Sequence, residues 1–203
     1  MRSDANSKHL VLGFDTSAAH CAAALLHGDN IIVQRTDSMT RGQGEHLMPM
    51  LEDILRQTGC QWADLNALGV GVGPGNFTGI RIAVAAARGL ALALNIPAIG
   101  VSSFEAAAID RTGTFIVSVD APRDELYIQR FTAAGPKPPQ VINSAEFVPG
   151  IPHITCPASV DLAVAITRIA AHRQTKILPR PAPLYIKSAD AAPPRDPGPK
   201  ILA

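Results

Sequence analysis

The sequence predicts an α/β chain of two related lobes, the second of them reduced. Three observations carry that reading. Three short apolar runs joined by tight links are followed by a helix-periodic stretch, a buried apolar run, a glycine-rich turn and a second helical stretch, which is the order of an α/β half-molecule. A weaker version of the same order recurs after residue 111. Glycine and proline also divide unevenly: 12 of 16 glycines lie at or before Gly100, and 13 of 17 prolines at or after Pro136. The first half is thus built with tight backbone turns, and the last third with extended, interrupted chain. The lobes are placed at 1–110 and 111–203, with a proline-rich, surface-hugging tail from Pro179 onward.

Each element has its own signal. His9 to Asp15 (HLVLGFD) is an apolar run that ends in a carboxylate, and His20 to Leu26 and Asn30 to Thr36 follow as strand-like runs. The turn candidate His27-Gly28-Asp29-Asn30 joins the last two, so the three make an antiparallel meander. From Glu45 to Thr58 the period changes, with Leu47, Met50, Leu51, Ile54 and Leu55 at helical spacing. Pro49 is tolerable there in a first turn, and Gly59 is a natural stop. Ala67 to Gly73 (ALGVGVG) reads as a buried strand that leads through Gly73–Gly79 into a helix from Ile80 to Leu94. In the second half, strands are expected at Thr114 to Asp120 and Glu125 to Phe131, with a helix at Ser159 to His172.

Composition excludes several classes. The chain has 203 residues, 47% hydrophobic and 17% charged, and a net charge of +1 from 18 basic and 17 acidic residues. That is enough for a sizeable core, and it argues against a disordered chain or a nucleic-acid-coating protein. The three cysteines, Cys21, Cys60 and Cys156, are far apart and form no CxxC pair, so neither a disulfide framework nor a zinc knuckle is suggested. The apolar run before Asp15 is too short for a signal peptide, and Gly89 to Phe104, interrupted by Asn95 and Pro97, falls short of a membrane span. A soluble cytoplasmic protein is expected.

Two segments could carry chemistry. The first is Gly73, Pro74, Gly75, Thr78 and Gly79, a strand-to-helix glycine loop whose backbone N–H groups would converge at the positive end of a helix dipole, with Arg81 one turn on as a counter-charge. Neither the Walker A nor the dinucleotide fingerprint fits it, and a tight turn with no ligand satisfies the pattern equally. The second is Asp15, Thr16 and Ser17, a carboxylate and two hydroxyls at a strand end. They could orient a phosphate or a metal-bound water, or simply form an Asx or Ser/Thr turn. His46 has Met50 at i+4, so an HxxxH metal pair is absent and no metal is expected. No GxSxG elbow occurs. The Ile80–Leu94 helix is apolar around more than one side, and so is the Glu45–Thr58 helix. Such breadth marks either a core or a partner interface.

The runs LGFDTSAAHCAAALL, GEHLMPMLEDIL, GVGVGPGNFTGIRIAVAAARGLALALNIPAIGVSSFEAAA, SVDAPRDELYIQRF and PLYIKSADA resemble the TsaB (YeaZ) family of bacterial tRNA threonylcarbamoyladenosine (t6A) biosynthesis subunits. GPGxFTGxR is the specific part. The resemblance covers most of the chain and implies the actin-like ATPase (ASKHA, ribonuclease H-like) fold. It implies a scaffold that binds and activates the catalytic paralogue TsaD together with the ATPase TsaE, reaches tRNA only through the complex, and forms a homodimer when alone. ATP or ADP would sit at the boundary with TsaD, not on this subunit. The family's interface helices map to His46, Leu47, Met50, Leu51 and Ile54 on one helix and Ala83, Ala87, Leu90 and Leu94 on the other. A charge at Leu51 or Ala87 is then expected to break association and spare the fold. Asp15, Thr16, Ser17 and the glycine loop through Arg81 would be vestigial phosphate loops, because after Gly100 the glycines are isolated and a second loop is lacking. An actin-like ATPase or phosphotransferase, and a glycoprotease-type peptidase, are the alternatives.

Overall fold

The structure is a computed structural model that describes residues 9–157 and 159–187. The part of the proline-rich tail at 188–203 lies outside the described residues. The first sheet contains β1 (Leu10–Asp15), β2 (His20–His27), β3 (Asn30–Ser38), β4 (Ala67–Gly71) and β5 (Ala98–Val101), in the order β3-β2-β1-β4-β5. β1 pairs antiparallel with β2 and parallel with β4, and β4 runs parallel to β5. The β2–β3 link is the two-residue turn Gly28-Asp29, with His27 opposite Asn30 and Gly28 at φ 61°.

Side-chain alternation gives this sheet two different faces. On one face Leu12, Phe14, Cys21, Ala23, Leu25, Leu68 and Val70 form the main core with α1 (Gln43–Thr58) and α2 (Phe77–Leu94). The other face is lined by small residues. A methyl at Gly13 would stand 2.1 Å from Thr167 Oγ1, and one at Gly69 would stand 2.9 Å from Ala170 Cβ. This close approach seats α4 (Ser159–Arg173) directly on the strands, where Thr167 Oγ1 donates to Ala163 O at 2.7 Å. The helix expected within the second half therefore covers the first sheet, between Ala22, Ala24 and Ala67.

The second sheet has β6 (Phe115–Ala121), β7 (Glu125–Thr132), β8 (Gly135–Pro136), β9 (Gln140–Asn143) and β10 (His153–Thr155). β6 pairs antiparallel with β7, β7 antiparallel with β9, and β10 runs parallel to β6. The order β9-β7-β6-β10 thus repeats β3-β2-β1-β4 in both sequence order and sense. Among the described residues this sheet has no counterpart of β5, and a short turn of 3-10 helix, Ser144–Glu146, stands where the first lobe has α1. This is the actin-like, ribonuclease H-like arrangement with the second lobe reduced. A smaller core around Phe104, Phe115 and Val117 joins it to α3 (Ser103–Ala107).

Two expectations need correction. Pro49 is the seventh residue of α1, not a first-turn residue; it is exposed, so the hydrogen bond it cannot donate is missing on the solvent side. α2 begins at Phe77, because the Asn76 side chain caps it by accepting from Gly79 N at 2.8 Å. α2 is long and apolar enough by length and composition to cross a membrane, with a mean hydropathy of 1.5; here it lies along the first sheet.

Candidate functional site

The two segments that the sequence singles out meet at one place, where the β1–β2 loop docks on the loop between β4 and α2. Asp15 ends β1 and is fully buried. Its Oδ2 accepts from Ser17 N and Ser17 Oγ, each at 2.8 Å, and lies 2.9 Å from His20 Nε2. Its Oδ1 has no hydrogen-bond partner among the described residues and faces Gly71, where a methyl would stand 1.9 Å away. An acid turn of the Asx type, with a histidine added at the start of β2, therefore closes the strand end. His20 was not singled out by sequence; its place five residues after Asp15, across a short loop to the paired strand, is the signal that could have found it.

Thr16 and Gly79 form the second contact. The Thr16 hydroxyl donates to Gly79 O at 2.6 Å, and a methyl on Gly79 would stand 1.8 Å from Thr16 O. Asn76 N donates to Ser17 O at 2.6 Å. The Gly73–Pro74 peptide is cis, and Ser103 holds this turn from the far side, its N–H donating to Gly73 O at 2.9 Å. Gly73 has φ 90°, which only glycine adopts freely. The donors of Asn76, Gly79 and Ile80 thus go to Ser17, to the Asn76 side chain and to the Asn76 carbonyl. The loop locks β1 to α2. Gly73, Pro74 and Gly79 are buried with Asp15, Thr16 and Ser17, whereas Gly75 is half-buried and Thr78 is exposed.

Arg81 does not turn toward this loop. Its guanidinium stacks 3.6 Å from the Phe77 ring centroid, and its Nε donates to Tyr185 Oη at 2.7 Å. That contact fastens the segment 181–187 across the start of α2, helped by Leu184 N donating to Val72 O at 2.8 Å. Lys187 then pairs with Glu125 of β7, so one extended segment laces both sheets together.

Six of the nine residues assigned to a partner interface face inward. Leu47, Met50, Leu51, Ile54, Ala83 and Ala87 are all 2% exposed or less and form the core between α1, α2 and the sheet. Leu90 and Leu94 are half-buried against the same core. His46 is half-exposed, with Nε2 2.6 Å from Asp37 Oδ2. Arg35 also holds Asp37, with Nη2 at 2.7 Å from Oδ2, and together with His46 it keeps that carboxyl below the usual carboxylate range against the opposing effect of burial. The positions left outward are different ones: Pro49 on α1, and Ala85, Gly89 and Ala93 on α2, spaced four apart on one stripe, while Met48 and Ile82 are half-buried against the core.

The cysteines are free thiols. Burial, with Asp37 and Asp15 nearby, pushes Cys21 up to about 11; burial, with Asp15 and Asp120 nearby, pushes Cys156 up to about 12.

Comparison with known proteins agrees with this architecture. A family model described as TsaD, tRNA N6-adenosine threonylcarbamoyltransferase, matches residues 32–180. The tRNA threonylcarbamoyladenosine biosynthesis protein TsaB of Escherichia coli K12 is 40% identical over 93 residues, covering 46% of this chain and 40% of that protein. TsaB of Haemophilus influenzae is 32% identical over 130 residues, covering 59% and 52% respectively. The chain thus matches about half the length of these relatives. A Pseudomonas aeruginosa protein described as similar to peptidase YEAZ has the same fold, with a TM-score of 0.69 at 22% identity over 88% of this chain and all of that one (100%). The chain belongs to the family that the TsaD model describes and, within it, to the TsaB, or YeaZ, proteins.

Proposed function

We propose that this chain serves t6A biosynthesis as a non-catalytic subunit that binds and activates a TsaD-like paralogue, together with a TsaE-like ATPase, and pairs with itself when alone. The observation that carries the reading is the outward stripe Ala85, Gly89 and Ala93 on α2. Small exposed residues in register on a long helix let a second helix approach closely, and an apolar stripe of this kind is stabilised when it is covered.

The fold family binds nucleotide between its lobes, and the residues here do not fit a phosphate chain held by this chain alone. The N–H groups of Asn76, Gly79 and Ile80 are spent within the protein. The β6–β7 turn, at the position matching Asp15-Thr16-Ser17, is Pro122-Arg123-Asp124 and has no glycine. Under this proposal ATP or ADP binds at the boundary with the paralogue.

The test is reconstitution. With a TsaD-like and a TsaE-like subunit of the same organism, tRNA modification is expected to require this chain, and the chain alone is expected to turn over no ATP. ATP hydrolysis by the isolated chain, lost in Asp15→Asn, would overturn the reading.

A further inference from the structure

A second surface of α2 has a different character. Between the end of α2, the start of β5 and the segment after α4 lies an open groove of about 660 Å³. Arg88, Lys176 and Arg180 line it, and among the described residues no acidic residue does. Among the described residues none of these three side chains takes part in an ion pair or a side-chain hydrogen bond. Arg35, Arg56, Arg173 and Lys187, by contrast, are paired with carboxylates. The walls between the cations are aliphatic: Pro97 lies at the head of β5, Leu92 is 82% exposed and Leu178 is 41% exposed.

Three like charges held around an apolar floor repel one another and gain from an anion that also brings apolar surface. From this we infer that the groove is a docking site for an acidic, aliphatic polypeptide segment of a partner protein, its leucine-like side chains on the floor and its carboxylates against Arg88, Lys176 and Arg180. A single-stranded nucleic acid fits less well, because among the described residues no aromatic ring lines the groove to stack a base. The groove takes in the Arg88–Leu92 side of α2 and adjoins the Ala85–Gly89–Ala93 stripe, which it meets at Gly89.

The test uses the full chain and fluorescence anisotropy. The probe is a fluorescein-tagged peptide alternating leucine with aspartate and glutamate. Its amide counterpart, with asparagine and glutamine, and an oligodeoxythymidine of equal charge are the comparisons. The acidic peptide is expected to bind best, and each of Arg88→Glu, Lys176→Glu and Arg180→Glu to weaken it about tenfold or more. Arg130→Glu, on β7 and outside the groove, is expected to change nothing. Circular dichroism and melting show that each variant is folded. Equal binding of the amide peptide, tighter binding of the oligonucleotide, or indifference to the three reversals would each overturn the inference.

Discussion

Gly79 and Thr16 interlock: the Thr16 hydroxyl donates to the Gly79 carbonyl at 2.6 Å, while the Thr16 carbonyl occupies the space a Gly79 side chain would need. Gly79→Ala forces backbone against backbone and is expected to cost about 1–3 kcal/mol, with further loss where neither loop can give way. Thr16→Val leaves the buried Gly79 carbonyl without this donor, at about 1–3 kcal/mol. Urea denaturation of the two variants and the wild type checks both. Wild-type stability in Gly79→Ala would show that the loops are not locked.

Leu51 and Ala85 separate the core of the two helices from their outer surface. Leu51 is completely buried, so Leu51→Glu places an unpaired charge in the core and is expected to cost more than about 4 kcal/mol. Ala85 is exposed, and Ala85→Glu should leave the stability of the folded monomer within about 0.5 kcal/mol. Thermal melting distinguishes them. The expectation that a charge at Leu51 spares the fold is thereby replaced.

Asp37 makes a pH prediction with a definite sign. Arg35 and His46 hold its folded pKa below the unfolded carboxylate value, so its contribution is complete above about pH 4 and is lost as the pH falls through the lower folded value. Wild type should exceed Asp37→Asn in stability by up to about 1 kcal/mol at pH 6, and the two should converge toward pH 2. Melting curves across that range test it; a difference that grows on acidification would contradict the assignment.

The thiols respond in the opposite direction. Cys21 and Cys156 keep their protons to about 11 and about 12, against an ordinary value of 9.0, so both should resist iodoacetamide at pH 8 in the folded chain and react on unfolding. Folding stability that these protons support is full below the unfolded value and falls as pH rises through 11 and 12. Mass spectrometry of alkylated peptides reads the first effect, and rapid labelling of Cys156 in the native chain would contradict it.

Much of the fold was legible because local signals agreed with tertiary ones. The Gly28-Asp29 hairpin, the helical spacing of Leu47 to Leu55 and the Gly59 stop all appear where turn chemistry and periodicity put them. β5 was not legible: it is four residues of Ala-Ile-Gly-Val without alternation, and only the parallel partner β4 makes it a strand. The seat of α4 was hidden for a related reason, since Gly13 and Gly69 read as weak strand residues until a helix is found above them. At the site, proximity of Asp15-Thr16-Ser17 to the glycine loop follows from β1 lying beside β4, which sequence order alone does not give. In α2 nearly every position is apolar, so composition could not say which stripe faces in; burial of Ala83 and Ala87 and exposure of Ala85 and Gly89 settle the phase.

Association through that outer stripe is the central claim, and light-scattering mass after size exclusion tests it most directly. Wild-type chain should run as a dimer alone and exchange into a heteromeric complex when mixed with the organism's TsaD-like subunit. Ala85→Glu should remain folded, run as a monomer and enter no complex. A wild-type monomer indifferent to that subunit, or an Ala85→Glu chain that assembles as the wild type does, would contradict the account.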